Sequence, residues 1–125
     1  MAMHLNELQA LDLWRRTIVN GVRRDIPDLS TRQMAILLTV YLTTPPHTVR
    51  GLANTLMVSK PAVTRAIDRL SEFELVRRKV DERDRRSVLI ERTPEGTSFL
   101  RDYGEIIVSS GRDVSGSSRF DVEAA

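Results

Sequence analysis

Cysteine is absent from the 125 residues. Disulfides, thiol redox sensing, cysteine-ligated zinc and thiol nucleophiles go with it. Histidine is scarce: His4 and His47 are the two in the chain, and they fall in different segments. His47 reads as a solvated loop side chain, or as a phosphate contact before Thr48. No P-loop and no dinucleotide-binding glycine pattern occurs. No apolar run approaches the roughly 18 residues of a membrane span. The start, MAMHLNELQAL, has no basic leader followed by an apolar core,. The expectations are therefore no enzyme, no catalytic residues, no metal, no cofactor and no membrane partner, in a cytoplasmic protein.

Hydrophobic residues make up 41% and charged residues 29%, enough apolar matter for the core of one ordinary domain,. The net charge of +2 hides an uneven distribution. Residues 46–92 hold eleven basic and seven acidic groups, whereas 93–125 hold three basic and six acidic. In 77–86, six basic groups face three acidic ones, and five of the six are arginine. Arginine suits planar hydrogen bonding to phosphates and base edges.

Helical spacing governs the first half. Leu8, Leu11, Trp14, Ile18 and Val22 recur at steps of three or four, predicting a helix over 5–24,. Ser30-Thr31-Arg32-Gln33 reads as a capping box opening a second helix with Met34, Leu37, Leu38 and Tyr41 as its stripe. Thr43-Thr44-Pro45-Pro46 ends it. Thr48 opens a short helix to about Leu56, Met57-Val58 turns the chain, and Ser59 caps a fourth helix with Pro61 in its first turn. Ala62, Val63, Ala66, Ile67 and Leu70 make the inner face of that helix. Segments 75–80 and 87–92 read as two short strands around a polar tip. Thr93-Pro94-Glu95 opens a last helix, with Phe99, Leu100, Tyr103, Ile106 and Ile107 as its apolar strip. From Ser109 the composition turns to serine and glycine and predicts a flexible tail, at most loosely docked through Phe120 or Val122.

The resulting fold class is mainly α with a small β-hairpin: a winged helix-turn-helix flanked by N- and C-terminal helices. Residues 1–29 form the N-terminal helix, a candidate dimerisation element. Residues 30–92 form the DNA-binding domain, 93–108 a second candidate dimerisation helix, and 109–125 the tail. The helix after Ser59 offers Ser59, Lys60, Pro61, Thr64, Arg65 and Arg69 to a major groove. The hairpin tip offers Arg83, Arg85 and Arg86 to a minor groove, with Asp84 beside them to orient a guanidinium. Arg50, Arg77 and Arg78 are candidate phosphate contacts. A solvated charged surface is the alternative for each set.

These residues also carry a family resemblance. Asp81-Glu82-Arg83-Asp84-Arg85-Arg86-Ser87, then Leu89-Ile90 and Thr93-Pro94-Glu95-Gly96, resemble the wing and following helix of the MarR family of bacterial transcription regulators. Ser59-Lys60-Pro61-Ala62-Val63-Thr64-Arg65 and Ile67-Asp68-Arg69-Leu70 resemble its recognition helix. Arg92 stands where that family usually has leucine. The resemblance covers about 30–100. It implies a homodimer on double-stranded DNA, binding a pseudopalindromic operator as a repressor, nucleoid-associated when bound. It places Arg86 in the minor groove with Asp84 orienting it. It also implies a small aromatic effector in a cleft for which Trp14, Arg15, Ile18, Met34, Leu38 and Tyr103 are candidates; core packing is the alternative use of the apolar ones. Helical character after Pro94 lasts about fifteen residues, so the family's closing helix is expected to be missing, the dimer weaker, and control by a regulatory protein an option. The alternative functions are a winged-helix protein-interaction module and a weakly selective architectural DNA binder.

Overall fold

The computed structural model describes residues 4–115. In order, they form α1 (Glu7–Arg23), α2 (Thr31–Leu42), α3 (Val49–Leu56), α4 (Lys60–Glu72), β1 (Val76–Val80), β2 (Val88–Arg92) and α5 (Pro94–Ser115). The chain divides into two units, Pro27–Phe99 and the pair Met1–Ile26 with Leu100–Ala125.

In the unit Pro27–Phe99, hydroxyl caps set the helix starts. Ser30 Oγ accepts from the Gln33 amide at 3.1 Å, and Gln33 Oε1 accepts from the Ser30 amide at 2.9 Å. Thr48 Oγ1 takes the Gly51 amide at 3.0 Å, and Ser59 Oγ takes that of Ala62 at 3.2 Å. Each bond satisfies an amide that lacks an intrahelical partner. The buried face of α2 is Ile36, Leu37 and Val40, whereas Leu38 is exposed. Leu52, Val63, Ile67 and Leu70 are buried as well, where α2 packs against α3 and α4. β1 and β2 pair antiparallel, from Val76 opposite Arg92 to Val80 opposite Val88. The ribbon gains a third edge from the segment before α3: the Ile90 amide donates to the His47 carbonyl at 2.8 Å, and Thr48 bridges Leu89. A two-stranded ribbon is marginal alone; this one is held by that edge and by the burial of Val76 and Ile90.

The Tyr41 hydroxyl gathers the ends of four segments. It accepts from the Thr93 amide at 2.9 Å and lies 2.8 Å from the Leu75 carbonyl and 3.2 Å from that of Thr93. Thr93 Oγ1 donates to the Glu74 carbonyl at 2.7 Å and accepts from the Gly96 amide at 2.9 Å. A Cβ at Gly96 would overlap both the Tyr41 hydroxyl and the Leu75 carbonyl, so only glycine fits. Arg92 closes the end of α2. Its Nε donates to the Val40 carbonyl and its Nη2 to that of Thr43, each at 3.0 Å, and its guanidinium stands 5.9 Å from the Tyr41 ring centre.

In the other unit, Asn6 and Gln9 form the capping box of α1. The apolar stripe found by spacing faces outward. Leu11 and Trp14 are each 65% exposed, and Ile18 and Val22 are exposed as well. The buried positions are Asp12, Thr17 and Gly21. A Cβ on Gly21 would stand 3.7 Å from the Tyr103 ring of α5. Ile106, Ser110 and Val114, one turn apart on α5, are also buried.

Two expectations are corrected. α5 does not stop at Val108; it runs to Ser115, through Ser109-Ser110-Gly111. Ser110 and Gly111 are buried within it. Burial there outweighs their weak helix propensity,. Residues 116–125, with Phe120 and Val122, lie outside the described residues. His47 is not a solvated loop side chain. It is buried, with Nε2 3.3 Å from the Thr43 carbonyl, because its backbone is part of the third edge.

Glu74 carries a φ of 61°, a left-handed conformation that penalises a Cβ,. Glu74→Gly should raise stability by about 0.5–1 kcal/mol, seen as a higher Tm; an unchanged or lower Tm would refute the strain. In α1, Arg16 hydrogen-bonds the Asp12 carboxylate and holds it below its ordinary pKa of 3.8, against burial and helped by Arg15. A depressed folded pKa means stability present above the unfolded value and lost as pH falls through the folded one. Asp12→Asn should lower Tm at pH 7, and its gap from the parent should close as the pH drops below about 3.8. A gap independent of pH would show that the carboxylate's charge is not what matters.

Candidate nucleic-acid interface

The outer face of α4 is polar and cationic because its inner positions are taken by Ala62, Val63, Ala66, Ile67 and Leu70. Ser59, Lys60, Pro61, Thr64, Arg65 and Arg69 are all exposed. Ser59 to Arg65 lie in the first two turns of a helix that follows α3 after a three-residue turn, and Arg69 lies on the same outer face near its end. Ser59 spends a lone pair on capping and keeps its O–H to donate,. Lys60 and Arg65 have no ion-pair partner among the described residues. Arg69 has two intramolecular partners: Glu72 at 2.7 Å and the Phe73 ring, 4.5 Å from its centre.

The turn before α4 also carries a strained residue. Met57 sits at φ 56°, and its side chain is almost wholly exposed.

The tip between β1 and β2 is built by its own carboxylates. Asp81 Oδ1 accepts from the Arg83 amide at 2.9 Å, and Asp84 Oδ1 accepts from the Arg86 amide at 3.1 Å. These are two successive aspartate turns, in which a side chain stands in for a backbone carbonyl. The Asp81 amide donates to the Ser87 carbonyl at 3.1 Å and closes the loop. The Arg86 side chain is 94% exposed, yet its Nε lies 3.4 Å from Asp84 Oδ1. One carboxylate therefore shapes the backbone at Arg86 and directs its guanidinium. Arg83 and Arg85 are exposed beside it, with no ion-pair partner among the described residues.

The three phosphate candidates differ. Arg50 is exposed on α3, without an ion-pair partner among the described residues. Arg77 Nε is 3.3 Å from Glu91 Oε1 across the ribbon. Arg78 is paired with Asp68 of α4. The second and third are thus partly neutralised by neighbours that sequence spacing does not reveal.

None of the six effector-cleft candidates lines either of two grooves in the winged unit. Trp14, Arg15, Ile18 and Tyr103 belong to the unit of α1, and Met34 and Leu38 to the winged unit. Trp14, Arg15 and Ile18 are exposed, and Tyr103 is half-buried. Two grooves lie in the winged unit. One, of about 480 Å³, includes Ser71, Val76 and Thr93 in its walls; the other, of about 430 Å³, includes Val40, His47 and Leu89. Neither takes a wall from any of the six. Among the described residues no cluster of three or more His, Asp or Glu could hold a metal, and no helix is long and apolar enough to cross a membrane.

Sequence reasoning missed Tyr41 and Arg92 as supports of this surface. Tyr41 looked like one more apolar position, and Arg92 like a departure from pattern. The available signal was the arginine itself: a charged residue ending a strand, opposite a helix that lacks a glycine cap.

A helix pair whose second member presents an open cationic face, followed by an arginine-tipped ribbon, defines a winged helix-turn-helix domain. Residues 29–88 match the MarR family model. Over 88 residues the chain is 34% identical to the HTH-type transcriptional regulator PecS of Dickeya dadantii. That match covers 69% of this chain and 53% of PecS, so the chain spans about half the length of that relative. Among solved structures, BldR of Sulfolobus solfataricus is 27% identical, with a TM-score of 0.60, over 96% of this chain and 91% of BldR. A MepR variant of S. aureus bound to an oligodeoxyribonucleotide has the same fold, with a TM-score of 0.74 at 19% identity over 94% of this chain and 82% of MepR. The chain belongs to the MarR family.

Proposed function

We propose that the chain is a sequence-specific double-stranded DNA-binding transcription regulator, acting as a homodimer on a pseudopalindromic operator, as a repressor. The observation that carries this is the pairing, in one unit, of two open arginine-bearing surfaces. One is the face of α4 with Lys60 and Arg65; the other is the tip where Asp84 directs Arg86. The first has the shape and donors for a major groove, the second for a minor groove. The description of PecS as a transcriptional regulator and the DNA-bound MepR variant support the same reading.

The homodimer rests on α1. Leu11, Trp14, Ile18 and Val22 make a continuous exposed apolar stripe. Soluble monomers rarely leave such patches uncovered. Ile107 and Val108 of α5 are exposed as well. Residues 1–29 and 93–108 then serve in dimerisation and 30–92 in DNA binding. One recognition helix reads few base pairs; two related by a two-fold axis read half-sites about one DNA turn apart.

Selection from random-sequence duplexes at physiological salt should recover a two-fold symmetric site. Arg86→Ala should weaken binding to it about tenfold or more at fixed salt, and Arg65→Ala should relax the base preference. No enriched sequence, or an Arg86→Ala variant that binds unchanged, would refute the reading of these residues. Ile18→Asp should sediment as a monomer and lose most affinity for the symmetric site. If the parent itself sediments as a monomer at every concentration tested, the dimer is refuted.

A further inference from the structure

On the DNA-binding reading above, one contact sets the face of α4 and the wing against each other. Arg78 stands in the middle of β1, and its guanidinium reaches back to α4. Its Nη2 donates to Asp68 Oδ1 and lies 3.5 Å from the Thr64 carbonyl oxygen. Thr64 and Asp68 are one turn apart on α4. A single guanidinium nitrogen therefore links the ribbon to two points on the helix. The other ion pairs of this unit stay local. Arg69 and Glu72 share α4, Arg77 and Glu91 face each other across the ribbon, and Arg86 and Asp84 sit in the tip. Among the described residues, Arg78–Asp68 is the ion pair that joins α4 to the wing.

Two considerations decide what this pair is for. Asp68 places a negative charge on a surface meant for a polyanion, which works against affinity. The pair is also open to water, with side-chain exposures of 36% for Arg78 and 56% for Asp68. Exposed ion pairs add little to folding stability. A carboxylate that opposes binding and barely stabilises the fold has geometry left as its use. We infer that Asp68 and Arg78 are positioning residues: they hold the wing against the recognition helix, so that Arg86 and Arg65 reach neighbouring grooves in one docking step. Ordering two elements before contact removes an entropy cost from binding. Arg78 is then a strut rather than a phosphate ligand.

The test uses the full chain and two probes: a duplex selected by the parent protein, and an unselected duplex of the same length. Asp68→Asn removes the charge and keeps the shape. Were charge alone at work, the variant would bind both duplexes more tightly. Positioning reverses the sign for the selected duplex. Affinity should fall about fivefold or more, the size of a coupled pair, while Tm moves by no more than about 2 °C. Hydroxyl-radical protection should fade where the wing lies and persist where α4 lies. Arg78→Ala should weaken binding similarly, and the double variant should bind no worse than the weaker single one. Asp68→Glu, which keeps the charge, should restore part of the loss. Equal or tighter binding by Asp68→Asn, or losses that add in the double variant, overturns the strut and leaves the DNA-binding reading standing. A parent that selects no duplex overturns that reading and the strut with it.

Discussion

The winged unit depends on one phenolic hydroxyl. Tyr41 reaches from α2 to the carbonyl after α4 and to the amide that opens α5, so the two ends of the ribbon are tied to one point. Around it, Gly96 must lack a side chain, Thr93 must cap, and Arg92 must close the end of α2. Each group answers a backbone polar atom that burial would otherwise leave without a partner, and such atoms are costly to strand. The ribbon is too short to stand alone. Its fixed base is what allows the tip to present arginines in one pose.

The surface above that base is built by a division of labour among charges. Aspartates shape and direct; arginines and a lysine remain open. Asp81 and Asp84 each replace a backbone carbonyl in a turn, and Asp84 also holds Arg86. Acidic residues on a surface proposed for DNA look misplaced when charges are merely summed. They make sense once their hydrogen bonds are followed.

Much of this was legible in the chain. Ser30 with Gln33, Thr48, Ser59 with Pro61, and Thr93 with Pro94 are local signals, and each marks a helix start within a residue or two. The alternation of Asp and Arg at the tip was legible for the same reason: the interactions join residues two or three apart. Contacts between distant segments left no such trace. Tyr41 and Thr93 are 52 residues apart, as are Arg92 and Val40. Periodicity found the apolar stripe of α1 but could not say that it faces outward, because spacing identifies a face and not its neighbour. The Ser109-Ser110-Gly111 run reads as a free chain because composition carries no information on burial, whereas Ser110 and Gly111 are buried within α5.

The tip has a property beyond its shape. Arg83, Arg85 and Arg86 are balanced by Asp81, Glu82 and Asp84, so the projection is close to neutral as a whole. Past a Debye length of about 8 Å, opposite charges so interleaved nearly cancel. On the proposed reading, the tip itself exerts little pull on a distant duplex and leaves long-range capture to the exposed cations outside it, among them Lys60, Arg65, Arg50 and Lys79. In that reading it engages at close range, where the guanidinium and carboxylate groups are felt separately, and serves as a short-range check on register after the helix has arrived.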